Sequence, residues 1–175
     1  MIPEFNLIAT TARGNERAMT NEIVFLLKDE LGDQEAKAAK TKVRGLIVAK
    51  TSLDPLEVMA KFREILSERP YAFRYALRIV PVQRVVPTDL VQIKKAALEM
   101  AQQIGEHQSF RVTVEKRFTE LHSKDLIHAA AGDIKRKVDL HNPDLVLQIE
   151  TLGALTGLAL IKPDDVLAVV KEKML

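Results

Sequence analysis

The sequence of 175 residues contains no cysteine. Disulfides, thiolate nucleophiles and cysteine-ligated metal sites are therefore excluded. Four histidines remain as candidate ligands or bases, but His122 and His128 diverge on a helix, and no HExxH pattern is present. The sequence therefore predicts no metal site and no disulfide-stabilised fold.

Glycine is also scarce, with seven in the chain, and none belongs to a recognisable phosphate-binding loop. The segment TARGNERA lacks the GxxxxGK[ST] spacing of a P-loop, and no GxGxxG follows a predicted strand. Serines such as Ser52 and Ser109 lie at predicted caps or strand edges, without a nucleophile elbow. The sequence therefore predicts no bound cofactor and no catalytic residues, and the protein is expected not to be an enzyme.

Neither sign of charge dominates, since 26 basic and 24 acidic side chains leave a formal net charge of +2. Binding to nucleic acid would therefore depend on a local basic patch. No apolar run approaches the length of a membrane span, and the N-terminal MIPEFNLIAT lacks the pattern of a secretory signal. A cytoplasmic protein with no membrane partner is expected.

Residues 1–83 are predicted to form an N-terminal ferredoxin-like domain. Apolar spacing gives the order strand, helix, strand, strand, helix, strand, which is the split βαβ pattern of that fold. The helix in LDPLEVMAKFREIL has the clearest start, with Asp54 as N-cap and Pro55 in the first turn. After a proline-flanked link near Arg84, residues 84–175 form a second predicted domain of helices and strands. The predicted class is therefore α+β.

The segment YAFRYALRIVPV, residues 71–82, alternates in the way that a strand does. Its aromatic side chains are predicted to pack against the two helices as core, and stacking of these rings on bases is the alternative. Arg74 and Arg78 then lie on the open face of the sheet, where they are candidates for contact with RNA or with a protein partner.

Basic residues gather in the second predicted domain. The strand FRVTVEKR ends in Lys116 and Arg117, and the following helix is predicted over residues 123–138. At about 100° per residue, Lys124 and Lys135 fall along one margin of the apolar face of this helix. A helix N-terminus beside cations is suited to phosphate binding, so the four cations are predicted to form one basic edge. The alternative is that they are ordinary solvated charges.

The same region resembles the THUMP domain, an RNA-binding module found in tRNA-modifying proteins. The resemblance rests on SFRVTVEKR, SKDLIHAAAGDIKRKVDL, HNPDLVLQIE and LTGLALI, and it is strongest over residues 107–162. It implies a THUMP-like α/β unit that contacts the acceptor stem and 3′ end of tRNA. On matching positions it implies RNA contacts by Lys116, Arg117, Lys124 and Lys135.

Members of this family usually fuse the module to a methyltransferase, a thiouridine synthetase or a deaminase, whereas here only KPDDVLAVVKEKML follows. A chain of this kind is similar to the adaptor subunit that helps an RNA acetyltransferase make N4-acetylcytidine in tRNA. The expected function is therefore a tRNA-binding adaptor that presents tRNA to a separate modifying enzyme, with the tRNA cytidine N4-acetyltransferase as the expected partner. Two alternatives stay open: an RNA-modification enzyme with an unrecognised site, and an interaction module whose partner is a protein.

Overall fold

The computed structural model describes residues 2–174 and divides into two compact units. The first comprises the chain up to Val82 together with the segment from Asp164 onward, and the second comprises Gln83–Pro163. Each unit contains a five-stranded sheet and helices, so the predicted α+β class is confirmed. Within residues 2–174, no helix is both long enough and apolar enough to span a membrane.

The first unit begins with β1 (Leu7–Thr10), α1 (Glu16–Phe25), β2 (Lys37–Lys40), β3 (Leu46–Lys50), α2 (Pro55–Glu68) and β4 (Arg78–Pro81). The second unit contains β5 (Arg84–Pro87), α3 (Leu90–Ala101), β6 (Ser109–Glu115), α4 (Ser123–Ala131), β7 (Lys137–Val138), β8 (Leu145–Leu152) and β9 (Leu155–Ile161). The chain then returns to the first unit with β10 (Leu167–Ala168) and α5 (Val169–Lys173).

The first sheet has the strand order β10-β4-β1-β3-β2, and every neighbouring pair is antiparallel. Helices α1 and α2 bury Ile23 and Phe62 in one apolar cluster with side chains of β1 and β3. Phe62 also meets Phe73 edge-on, with ring centroids 5.8 Å apart. The order of helices and strands expected for residues 1–83 is the order observed.

Helix α2 begins where its sequence predicts. The carboxylate of Asp54 accepts a hydrogen bond from the amide of Leu56 at 2.8 Å, and Pro55 is the first helical residue. Just past the helix end, the Arg69 guanidinium donates two hydrogen bonds to the carboxylate of Glu30, at 2.9 and 2.6 Å. This pair ties the end of α2 to the π-helical segment Leu26–Glu30, which directly continues α1.

Residues 71–77 are not part of a strand, so the prediction of one strand over 71–82 is wrong there. Strand β4 begins only at Arg78, and Tyr71 is 72% exposed. The carboxylate of Glu22 accepts hydrogen bonds at 2.7, 3.1 and 3.0 Å from the backbone amides of Arg74, Tyr75 and Ala76. In a strand, these backbone amides would donate to a neighbouring strand. Here they donate to the carboxylate of Glu22, so residues 74–76 do not pair with the sheet.

The second sheet has the order β5-β9-β8-β6-β7, in which β6 runs parallel to both β7 and β8. Helices α3 and α4 pack on this sheet, and the buried side chains form a second apolar cluster: Ile93, Ala96, Ala97, Met100, Leu126, Ala130, Leu147, Ile149 and Leu158. Because parallel strands end at the same edge, the loop after β6 and the turn after β8 lie together. The candidate site lies at this edge, in the loop that joins β6 to α4.

The segment after Pro163 departs from the predicted boundaries, which placed residues 84–175 in one domain. Strand β10 pairs with β4 through Leu167 and Ile79. Leu167 and Val169 are buried in the apolar cluster of the first unit. Burial of these two apolar side chains stabilises the packing of the C-terminal segment against the first sheet.

Candidate nucleic-acid interface

Helix α4 is shorter than the helix predicted over residues 123–138, because it ends at Ala131. Strand β7 follows and pairs with the start of β6. Between them, the Arg136 guanidinium donates a hydrogen bond to the carbonyl of Ile104 at 3.1 Å, which holds the chain on a non-helical path. Lys135 therefore lies in a loop rather than on the margin of α4.

Lys116 and Lys124 lie on the two sides of one loop, residues 116–122, at the edge where β6 and β8 end. Lys116 follows the last residue of β6, and its side chain is exposed. Its ammonium donates to the carbonyl of Leu121 at 3.3 Å, which directs it towards the start of α4. Lys124 is exposed in the first turn of that helix. The structure therefore brings these two predicted site residues together.

The first turn of α4 has no side-chain cap. Its N-cap residue is His122, and no side chain accepts a capping hydrogen bond there. The amide donors of this turn therefore lack a side-chain acceptor beside Lys124. The charge around the loop is balanced rather than strongly positive, because the same stretch exposes Glu115, Glu120 and Asp125.

Arg117 is engaged inside the second unit. Its guanidinium lies 3.2 Å from the carboxylate of Glu150, and the two side chains are 15% and 1% exposed. Its amide donates to the hydroxyl of Thr151 at 2.9 Å, and its carbonyl accepts from the amide of Gly153 at 2.9 Å. Arg117 therefore fixes the loop after β6 to the end of β8. Its contact with RNA stays a prediction.

Lys135 does not join the other cations, so the prediction of a single basic edge is wrong. Strand β6 has seven residues, and its ends are therefore roughly 20 Å apart. Lys116 follows one end, whereas Lys135 precedes β7, which pairs with the other end. Next to Lys135, Lys94 and Asp133 form an ion pair at 2.7 Å. The hydrogen bond from Lys94 and its charge lower the pKa of Asp133, and the charge of Lys135 adds to the effect.

Arg74 and Arg78 belong to the first unit. Arg74 is exposed, and its guanidinium carbon lies 5.5 Å from the centroid of the Tyr75 ring, within the range of a cation–π contact. Arg78 is half-buried and is the first residue of β4. Because residues 71–77 leave the sheet, the two arginines do not share a strand face. Their contact with RNA also stays a prediction.

Phe118 is a candidate residue that sequence reasoning missed. It lies in the loop after β6 and is 68% exposed. Its φ of +53° is the only positive φ of a non-glycine residue within residues 2–174, a conformation that costs about 1–2 kcal/mol for an L-residue. The bonds of Arg117 to Thr151 and Gly153 hold the adjoining backbone in place. An exposed aromatic ring on a fixed loop can stack on a nucleobase.

The carboxylate of Asp33 has a structural role. Burial raises its pKa, but hydrogen bonds from the hydroxyls of Ser52 and Thr51, and from the amides of Ser52 and Glu35, outweigh that effect and lower the pKa. The two hydroxyl bonds are both 2.6 Å long. Asp33 thereby joins the loop after α1 to the end of β3. Nowhere in residues 2–174 do three His, Asp or Glu side chains gather closely enough to hold a metal ion.

Solved structures with a similar fold include PH1313 from Pyrococcus horikoshii Ot3, with 23% identity and a TM-score of 0.61 over 91% of this chain and 55% of that one. TrmN from Thermus thermophilus has 18% identity and a TM-score of 0.60 over 90% of this chain and 45% of that one. A 4-thiouridine synthetase, in complex with RNA and with bound ATP, has 19% identity and a TM-score of 0.53 over 91% and 42%. This likeness shows the fold alone, and the chain spans about half the length of these structures. No curated protein sequence matches the chain.

These structures contradict the prediction that the protein is not an enzyme. One is named as a synthetase, and further structures with a similar fold are named as methylases or methyltransferases. The prediction rested on missing catalytic motifs, but the chain aligns with only about two fifths of each of these proteins. The missing motifs therefore carry no weight against an enzyme.

A family model matches the second unit. The model is that of the THUMP domain, and it matches residues 87–160, from the end of β5 to β9. This segment includes the loop after β6, with Lys116, Phe118 and Lys124. The THUMP domain predicted from the sequence is therefore confirmed over residues 87–160.

Proposed function

We propose that this chain is the tRNA-binding part of an RNA-modifying enzyme. It holds the acceptor stem and the unpaired 3′ end of tRNA, so that a catalytic site at a fixed distance acts elsewhere on the bound molecule. The observation that carries the proposal is the match of residues 87–160 to the THUMP domain, an RNA-binding module. The synthetase of similar fold that was solved in complex with RNA supports RNA as the ligand.

The loop after β6 is the proposed contact with the unpaired end. Lys116 and Lys124 contact phosphates, and such contacts fix the register of the RNA without reading its sequence. Phe118 stacks on an unpaired base, an interaction worth about 1–3 kcal/mol. The balanced charge of this loop supports a site in which stacking contributes more than charge. Arg117 contributes by holding the loop in place.

Phe118→Ala tests this contact. We expect the variant to bind intact tRNA about 10-fold more weakly than the wild-type chain, which corresponds to about 1.4 kcal/mol of lost stacking. The loss should be much smaller for tRNA trimmed of its unpaired 3′ nucleotides. Tyr71→Ala is the matched control, because Tyr71 is an exposed aromatic residue of the first unit. If the wild-type chain binds duplex DNA of equal length as tightly as tRNA, preferential recognition of tRNA is refuted.

The catalytic site that receives the tRNA is proposed to be that of a tRNA cytidine N4-acetyltransferase, for which this chain acts as the adaptor. The strand order β4-β1-β3-β2 supports a ferredoxin-like first unit. A ferredoxin-like unit before the THUMP domain is part of the resemblance to the adaptor. Formation of N4-acetylcytidine by the acetyltransferase should rise when the chain is added to tRNA and acetyl-CoA. Acetylation that proceeds equally well without the chain would refute this part of the proposal.

A further inference from the structure

A group of exposed cations lies at one end of the first sheet. Two stretches contribute to it: residues 11–17, which lead into α1, and residues 40–45, which join β2 to β3. Together they contain five basic side chains and one acidic side chain, that of Glu16. The basic cluster is defined as the five exposed cations Arg13, Arg17, Lys40, Lys42 and Arg44.

The two stretches are in direct contact. The amide of Thr11 donates a hydrogen bond to the carbonyl of Gly45 at 2.8 Å. Gly45 has a φ of +75°, and a Cβ at this position would lie 2.7 Å from the Thr11 carbonyl oxygen and 3.9 Å from the Arg13 amide nitrogen. Only glycine permits so close an approach in this conformation. The hairpin therefore places Arg44 beside the loop that carries Arg13.

The single acidic side chain of this region is bound to backbone amides. The carboxylate of Glu16 accepts hydrogen bonds from Gly14 at 2.9 Å and from Gly45 at 3.1 Å. Amides of Glu16 itself, Gly14 and Gly45 lower its pKa, and the charge of Lys40 adds to the effect. Within residues 2–174, no member of the basic cluster forms an ion pair with a carboxylate. Glu16 thus joins the two stretches and leaves the cations available to a ligand.

The basic cluster concentrates charge that the rest of the chain lacks. Five positive charges and one negative charge give these stretches a net charge of +4, whereas the whole chain has +2, so the remainder has −2. An anionic polymer is therefore attracted to this end of the first unit rather than to the surface as a whole. Cations on two connected loops can neutralise several neighbouring phosphates without reading the sequence.

We propose that the basic cluster is a binding site for the phosphates of double-stranded RNA. This inference rests on the proposed function for the nature of the ligand, but it concerns the other unit and a duplex rather than an unpaired end. Long flexible lysine and arginine side chains suit a regular phosphate backbone, because each charge can reach a phosphate without a fixed geometry. The cluster would hold the stem of the RNA independently of Phe118.

Lys42→Ala combined with Arg44→Ala tests this site in the full chain. The matched control is Lys61→Ala combined with Lys171→Ala, which removes two exposed cations from the same unit. The probe is a blunt-ended RNA duplex, titrated at several salt concentrations by fluorescence anisotropy. We expect the first pair to weaken binding and to lower the slope of log K against log salt by about one for each cation removed, or about two in total. The control pair should leave the slope unchanged.

Each outcome has a separate meaning. A wild-type chain that binds neither the duplex nor tRNA refutes the proposed function itself. If the wild-type chain binds tRNA but the two variant pairs are indistinguishable on the duplex, the inference is overturned while the proposed function stands. Binding to phosphatidylserine vesicles but not to the duplex also overturns it. If circular dichroism shows that the first pair is misfolded, Arg13→Ala on the facing loop replaces it and must lower the slope by about one.

Discussion

Replacing Arg117 by alanine should destabilise the second unit, although its sequence position places it among surface cations. Its guanidinium lies 3.2 Å from the carboxylate of Glu150, and the two side chains are 15% and 1% exposed. Removal of one partner from a buried pair costs about 3–5 kcal/mol, because the other charge stays in a poorly solvated position. The partial exposure of Arg117 places the expected loss near the lower limit, at about 3 kcal/mol.

Urea denaturation followed by circular dichroism measures this loss, since the chain contains no tryptophan for fluorescence. Lys124→Ala is the control, because an exposed lysine should change the free energy of unfolding by less than about 0.5 kcal/mol. The double variant Arg117→Leu, Glu150→Leu should recover part of the loss, because it removes the buried carboxylate together with the guanidinium. Equal free energies of unfolding for Arg117→Ala and Lys124→Ala would refute the buried pair.

Two further predictions concern the first unit. Asp33→Asn should lower the free energy of unfolding by about 1–3 kcal/mol at pH 7, because an amide replaces the buried carboxylate that accepts hydrogen bonds from Thr51 and Ser52. Since folding lowers the pKa of Asp33, its stabilising effect is present at neutral pH and is lost as the pH falls below about 4, so wild type and variant should converge in acid denaturation. Gly45→Ala should lower the free energy of unfolding clearly more than Gly32→Ala. Both glycines have a positive φ, which costs an alanine about 1–2 kcal/mol, but only at Gly45 would the Cβ also clash with the Thr11 carbonyl oxygen. Equal melting temperatures for the two glycine variants would contradict that contact.

The parts of the fold that could be predicted from the sequence depend on neighbours in the chain. Helix α2 is the clearest case, since Asp54 caps the amide of Leu56 and Pro55 occupies the first turn. Apolar side chains at helical spacing then define its buried face, which includes Val58 and Phe62. No distant residue is needed for either signal, and the α+β class followed from many such local patterns.

The predictions that failed depend on partners far away in the sequence. Residues 71–77 leave the sheet because Glu22 of α1 accepts their amides. Residues after Ala131 leave the helix where Arg136 bonds to the carbonyl of Ile104 and β7 pairs with β6. Tertiary contacts of this kind override local propensity, and a single sequence does not reveal them.

The candidate site shows the same limit in its charges. Lys116 and Arg117 are adjacent and both carry a positive charge, but of the two only Arg117 forms an ion pair with the carboxylate of Glu150 in β8. The cations of residues 11–17 and 40–45 form two separate groups in the sequence, and they become one cluster only because Gly45 approaches Thr11. The sequence lists which side chains carry charge, whereas attraction of a polyanion depends on which charges lie together in solvent without a partner. For phosphate binding, the structure therefore favours the basic cluster over the loop after β6, and leaves that loop with Phe118 as its distinguishing contact.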